Sequence, residues 1–221
     1  NSPIFNAAMS AKDGIIGAIT RGRVSNLDMD DGEINGHFRF LHNDDGHTIN
    51  LEFYLFDTAP GGAGYSKQVK DHIDDVIDEA IFLMESCDCE TSCHRCLRTY
   101  MNKFEHQKLN RHWGASLLQY IKYGEVPRLE LDSSVKLLQN ILFPHLSAKY
   151  ADDIESIKLN LDEGTTQIII TAEGSELPIT AYLRTPLEKQ TTMSDVIDIE
   201  DYELKNNTPD VVERIDQWLS G

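Results

Sequence analysis

The sequence predicts an α+β fold in two parts, and three features carry that prediction. Two runs rich in β-formers flank a turn between residues 33 and 57, and a helical stripe of apolar residues follows from Val69 to Met84. All four cysteines of the 221-residue chain then fall within ten positions, "CDCETSCHRC" at 87–96. Past about residue 150 the texture changes to three strand-like runs and a closing helix, the pattern of a small antiparallel meander.

Each element has its own signal. "EINGHFRFL" and "TINLEFYLFDT" alternate around "NDDG" at 43–46, which predicts a hairpin with Leu51, Phe53 and Leu55 on one face and Tyr54 and Phe56 on the other. "APGGAGYS" leads into a helix whose apolar positions recur at Val69, Ile73, Val76, Ile77, Ala80, Leu83 and Met84. Cys87 lies eighteen residues beyond Val69, or five turns, so its thiol is expected on the core side. Leu97, Tyr100, Met101 and Phe104 repeat at i, i+3, i+4 and i+7, predicting another helix with these side chains in the core. A helix from about Trp113 to Tyr123 should stop at Gly124, with Pro127 beyond it. The next starts near "LDSSVKLLQNIL", capped by Asp132 or Ser133 and interrupted at Pro144. "IESIKLNL", "TQIIITAE" and "LPITAYLRT", separated by "DEGT" and "GSE", form the meander. The last helix takes Thr208 as N-cap and Pro209 in its first turn, and runs to Trp218 and Leu219.

Composition narrows the function. With 40% hydrophobic residues the chain can bury one ordinary core and a smaller second one. Its apolar runs fall far short of the roughly 20 residues that cross a bilayer. The N-terminal stretch has no basic head and no long apolar region, so neither a membrane span nor a secretory signal is expected and the location is expected to be cytoplasmic. Net charge is -17, and residues 151–221 hold sixteen Asp/Glu against five Lys/Arg. A chain this acidic repels phosphate, so nucleic-acid contact requires a local basic patch. One exists between His94 and His112, where Arg95, Arg98, Lys103, Lys108 and Arg111 face only Glu105.

The cysteine spacing is C-x-C-x3-C-x2-C. Thiolates are soft ligands that suit a four-coordinate zinc ion, and four of them close its shell, which makes the expected role structural. Three other readings stay open at this point. Two local disulfides need an oxidising compartment. Cys93 and Cys96 form a C-x-x-C that could be redox active but leaves Cys87 and Cys89 unexplained. An iron–sulfur cluster also takes four thiolates, although the spacing matches neither ferredoxin pattern. His94, His106 and His112 are nearby imidazoles that could replace a sulfur.

"FYLFDTAPGGAGYSKQV", a helix, and then "CDCETSCHRCLRTYMNKFEHQKLNRHWGASLL" together resemble the MrfA-like zinc-binding domain of bacterial DNA helicases and helicase-associated antiphage defence proteins. The resemblance spans roughly residues 33–122. It matches the family's strand-end Asp and Gly-Gly-x-Gly-Tyr turn to Asp57, Gly61, Gly62, Gly64 and Tyr65. It implies zinc as cofactor on Cys87, Cys89, Cys93 and Cys96, and aligns Leu97, Tyr100, Asn102, His106, Leu109 and Arg111 with the family's trailing residues. Lys103-Phe104 departs from it, because a Gln commonly follows the Asn. The fold expected is thus a β-hairpin followed by helices around a four-cysteine zinc site, plus a small C-terminal antiparallel meander with a terminal helix. The domains expected are an MrfA-like zinc-binding domain at 1–127, a helical connector at 128–150 and a small acidic α+β unit at 151–221.

The resemblance implies an accessory role beside a superfamily-two DNA helicase motor, in the same polypeptide or a separate subunit. "GGAGYSK" has no Gly before Lys67 and so is not the phosphate-binding loop of such a motor, and no DEAD- or DEAH-like box is present. The chain is therefore expected not to be an enzyme by itself. The basic residues Arg95, Arg98, Lys103, Lys108 and Arg111 are the candidate nucleic-acid contacts, with DNA as the expected partner. The bland reading is that they offset Asp88, Glu90 and the acidic helix before them. A different class of function, protein docking through the acidic C-terminal region without nucleic acid, is the alternative. Asp57 is expected to hydrogen-bond the adjoining turn rather than to act as a base.

Overall fold

The computed structural model describes residues 3–25, 27, 29–42, 49–127, 131–149, 154–162, 165–172, 179–188 and 196–220. They fall into two compact units, Asn1–Val126 and Pro127–Gly221.

The first unit opens with a helix the sequence reading left unassigned, α1 (Pro3–Thr20). Its buried face is built from small residues, Ala7, Ala8, Ala11 and Ala18, with Ile15 and Ile19, so it lacks the bulky stripe by which a helix is usually recognised. Small residues permit close crossing. A Cβ on Gly14 would lie 2.9 Å from Met84 Cε, and one on Gly114 would lie 2.8 Å from Met84 Sδ and 3.0 Å from the Ser10 carbonyl carbon. Ser10 Oγ also accepts from the Asn110 N–H at 2.8 Å.

Strands β1 (Ile34–His42) and β2 (Ile49–Asp57) pair antiparallel, with Ile34 opposite Asp57 and Phe40 opposite Leu51. The expected alternation holds: Tyr54 and Phe56 are exposed, while Leu51, Phe53 and Leu55 are half-buried. The "NDDG" turn lies outside the described residues.

β2 hands over to α2 (Tyr65–Asp71) through Gly61, Gly62 and Gly64, whose φ values of 85°, 75° and 85° favour glycine. Asp57 ties this turn down. Its Oδ1 accepts from Ser66 N at 2.7 Å, and its Oδ2 from Gly64 N at 2.5 Å and Tyr65 N at 3.1 Å. These backbone donors, Ser66 first among them, hold the carboxyl down at about 2. A carboxylate depressed on folding stabilises the fold above its unfolded pKa and loses that contribution as pH falls through the folded one. Asp57→Asn is therefore expected to lower the urea midpoint at neutral pH, and the gap from wild type should close as pH falls from about 4 toward 2.

The helix expected through Val69 is two helices, α2 and α3 (Ile73–Glu85), separated at His72. Counting turns from Val69 to Cys87 consequently fails, because the register resets at the break. Cys87 lies beyond the end of α3 and is half-buried. Val69, Val76, Ala80, Leu83 and Met84 are buried as expected.

The helix expected over 97–104 does not form. This segment is a series of turns, and Tyr100, Met101 and Phe104 are 77%, 69% and 87% exposed rather than in the core. The Cys93 carbonyl takes the N–H groups of Cys96, Leu97 and Arg98 at 3.1, 3.1 and 2.9 Å. Asn102 Oδ1 takes the Thr99 N–H at 2.8 Å, and its Nδ2 donates to the Leu97 carbonyl at 2.8 Å. A side-chain amide thus supplies the partners a helix would have used. Only Leu97 of the stripe is buried.

α4 (Arg111–Tyr123) is capped by Asn110, whose Oδ1 accepts from His112 N and Trp113 N, and it ends as expected at Gly124 in the left-handed conformation.

In the second unit, α5 (Leu131–Leu137) passes through a π-helical turn at Leu138–Leu142 into α6 (Phe143–Lys149). Asp132 lies in the first turn of α5 rather than outside it. Pro144 does not stop the chain, because the wider turn relieves the contact between its ring and the carbonyl four residues earlier. β3 (Ile154–Asp162), β4 (Thr165–Ala172) and β5 (Ile179–Arg184) form the expected antiparallel runs. The "GSE" connection lies outside the described residues, as do the two central residues of "DEGT". A fourth strand, β6 (Val196–Glu200), was not anticipated and pairs parallel to β5. It leads into α7 (Asp201–Asn206), also unanticipated, through a capping box of Glu200 and Glu203. α8 (Thr208–Ser220) closes the chain. Leu137, Leu138, Leu142 and Leu146 share one core with Ile168, Leu183 and Ile199 of the sheet and Val211 and Ile215 of α8.

No helix among the described residues is long and apolar enough to cross a membrane.

Candidate metal centre

The four sulfurs converge. Cys87 Sγ lies 3.5 Å from Cys89 Sγ and 3.6 Å from Cys93 Sγ, Cys96 Sγ lies 3.6 Å from Cys89 Sγ and 3.9 Å from Cys93 Sγ, and every pair lies within 4.8 Å. A tetrahedron with bonds of about 2.3 Å, the zinc–thiolate value, has edges of about 3.8 Å. The cluster therefore has the size such a site requires. It does not have disulfide geometry, since bonded sulfurs lie about 2.05 Å apart, and all four thiols are free.

Local sequence builds this shape. α3 ends just before Cys87, and the x and x2 spacers leave only tight turns between the ligand atoms. The Cys93 N–H points at Cys96 Sγ at 3.2 Å and the Arg95 N–H at Cys93 Sγ at 3.4 Å, the backbone support that thiolates accept. Burial pushes the Cys89 and Cys96 thiols up. At Cys93 burial acts the same way but is outweighed by the Arg95 N–H and the neighbouring thiols, and the group falls to about 6. Four thiols this close cannot all ionise without a cation among them.

Two arginines from outside the loop brace it. Arg111, at the start of α4, donates from Nε to the Cys89 carbonyl at 2.7 Å and from Nη1 to the Met84 carbonyl at 2.9 Å. It is 6% exposed, so it holds the loop and is not presented to a polyanion, unlike the role given to it from sequence. Arg21, just past α1, donates to the carbonyls of Arg95, at 2.8 Å, and Cys96. Sequence reasoning missed Arg21, and no local pattern could have found it because its partners lie more than seventy positions away.

The other basic residues are placed differently. Arg95 is exposed and paired with Asp88, and Arg98 Nε donates to Ser92 Oγ at 2.9 Å. Lys103 and Lys108 are exposed, and Lys103 Nζ stands 4.4 Å from the Tyr100 ring centroid and 5.0 Å from that of Phe104. The nearby histidines have other partners. His106 Nε2 lies 3.0 Å from both the Thr99 carbonyl and Asn102 Oδ1, His112 Nε2 lies 2.9 Å from the Glu90 carbonyl, and His94 packs edge-on against the His106 ring.

Comparison with known proteins agrees with this geometry. The chain is similar to the Druantia protein DruE of Escherichia coli (strain UMEA 4076-1), 39% identical over 110 residues, or 50% of this chain and 6% of that protein. The chain thus matches only a small part of that relative's length. No solved structure matches significantly. Zinc is the cofactor that four convergent thiols in such a domain call for. The family match begins earlier than the resemblance read from the residues, inside α1, and ends just after the fourth cysteine: residues 18–97 match the family of the MrfA Zn-binding domain.

Proposed function

We propose that this chain is a zinc-stabilised accessory module of a bacterial superfamily-two DNA helicase or antiphage defence complex, contacting nucleic acid or the helicase motor. In this reading Cys87, Cys89, Cys93 and Cys96 are the four ligands of one zinc ion. When bound, the ion supplies folding free energy and no open coordination position, because four sulfurs complete its shell. The chain's own residues do the rest: Arg21 and Arg111 fix the loop carbonyls, and the loop sets the direction of the segment that follows. ATP hydrolysis by the motor rather than by these residues, and cytoplasmic placement beside it, belong to this same proposal.

The observation that carries it is the direct succession of a zinc-sized thiol cluster and a basic segment whose Arg95, Lys103 and Lys108 are exposed, in an otherwise acidic chain. Similarity to the Druantia protein and to the MrfA Zn-binding domain supports the zinc site and the defence setting, and the helicase setting is what the resemblance of the sequence implies. DNA binding should be measured against salt for the chain and for a variant with Arg95, Arg98, Lys103 and Lys108 changed to Glu. The wild type is expected to bind with a negative salt slope, each phosphate contact adding about 0.7–0.9 to it, and the variant to lose binding. Arg111 is left unchanged, since it braces the loop. No binding in the wild type at low salt would favour a protein-docking subunit instead, and binding untouched by the four reversals would remove the contact from this segment.

A further inference from the structure

Three large apolar side chains within five residues, Tyr100, Met101 and Phe104, face solvent on a segment fixed by buried hydrogen bonds. Leaving them exposed forfeits the hydrophobic gain of burying them. Lys103 stands between the two rings, so the exposed surface is aromatic and cationic together. The segment also forms one wall of a cavity of about 390 Å³, which it shares with α1 and β1. Phe5 and Phe38, edge to face at 5.2 Å between centroids, lie on its other side, and Met101 and Phe104 line it.

We propose that this segment is a stacking platform for single-stranded nucleic acid, with one unstacked base entering the cavity beside Phe104. The inference rests on the nucleic-acid contact proposed above and adds the strand form and the residues that select it. Flat aromatic faces beside a fixed ammonium suit bases whose phosphates lie alongside, and every base has a face to stack. A duplex keeps its bases stacked on one another and cannot offer them. Charge decides which part of the strand goes where. Asp13, Asp31 and Glu105 line the cavity together with Lys12, which stands 2.8 Å from Asp13 and 3.7 Å from Glu105, so carboxylates outnumber the one ammonium and the lining repels a phosphate but not a ring bearing N–H groups. Lys103 and Lys108, outside it, are the cations left to the backbone. The same charge pattern argues against an acidic protein side chain in the cavity, where its carboxylate would meet Asp13, Asp31 and Glu105.

The test is fluorescence anisotropy of the zinc-loaded 221-residue chain with a labelled mixed-sequence 20-nucleotide single strand and with the matching duplex. The single strand is expected to bind more tightly. Phe104→Ala and Tyr100→Ala should each weaken it about tenfold while leaving the salt slope unchanged, and Phe104→Trp should retain binding. Both side chains are exposed, so zinc content and far-UV circular dichroism of the variants should match wild type. Equal binding of strand and duplex with no effect of Phe104→Ala overturns the stacking platform and leaves phosphate contact standing. No binding of either form overturns both readings, as does a wild type that binds only protein at this face.

Discussion

Removal of the metal by a strong chelator is expected to unfold residues 1–126, with loss of their helical signal, and to leave residues 127–221 folded. The first unit's loop holds together four thiols that repel as anions, and α3, α4 and α1 meet around it through Arg111 and Arg21. Structural zinc sites contribute an apparent free energy of about 10–16 kcal/mol, as large as the whole stability of a typical domain at about 5–15 kcal/mol. The second unit has its own core of leucines, isoleucines and valines and no cysteine. Hydrogen exchange followed by mass spectrometry, with and without chelator, reads the two units separately. Each of Cys87→Ser, Cys89→Ser, Cys93→Ser and Cys96→Ser should reproduce the effect in the presence of metal.

Arg111→Met is expected to cost about 3 kcal/mol of stability and to loosen metal retention, whereas Arg95→Met should leave the denaturation midpoint close to that of wild type. The two residues looked alike in the sequence. Arg111 is buried, and its loss strips the partner from the part-buried carbonyl of Cys89 and the buried carbonyl of Met84. Arg95 makes an exposed ion pair with Asp88 that solvent and salt screen. Denaturation midpoints and competition with a colorimetric zinc indicator for each variant check both halves of this expectation. A loss at Arg95 comparable to that at Arg111 would mean that the Asp88 pair holds the loop as much as the buried clamp does.

How legible the molecule was depends on whether an element's cause is local. The hairpin, the Asp57 turn, α4 with its Gly124 stop and the meander strands each follow from periodicity or from one residue's backbone preference, and all stand where the sequence placed them. The sulfur cluster was legible too, because four soft ligands in ten positions leave few alternatives. α1 was not, since alanines and glycines carry little hydrophobic contrast, and the reason for them is a close approach to Met84 and Gly114 far along the chain. Tyr100, Met101 and Phe104 have a helical spacing but no helix, and so stand exposed rather than in the core. Asn102 and the Cys93 carbonyl had already claimed the backbone donors that a helix needs. β6 escaped because a five-residue strand pairing parallel has no hairpin to announce it.

Zinc-edge X-ray absorption on the purified chain, joined to elemental analysis of the same sample, bears most directly on the whole account. It should give one zinc per chain with four sulfur scatterers at about 2.3 Å and no nitrogen or oxygen in the shell. A metal-replete sample in which four thiols still titrate freely, or a shell that includes imidazole, would contradict it.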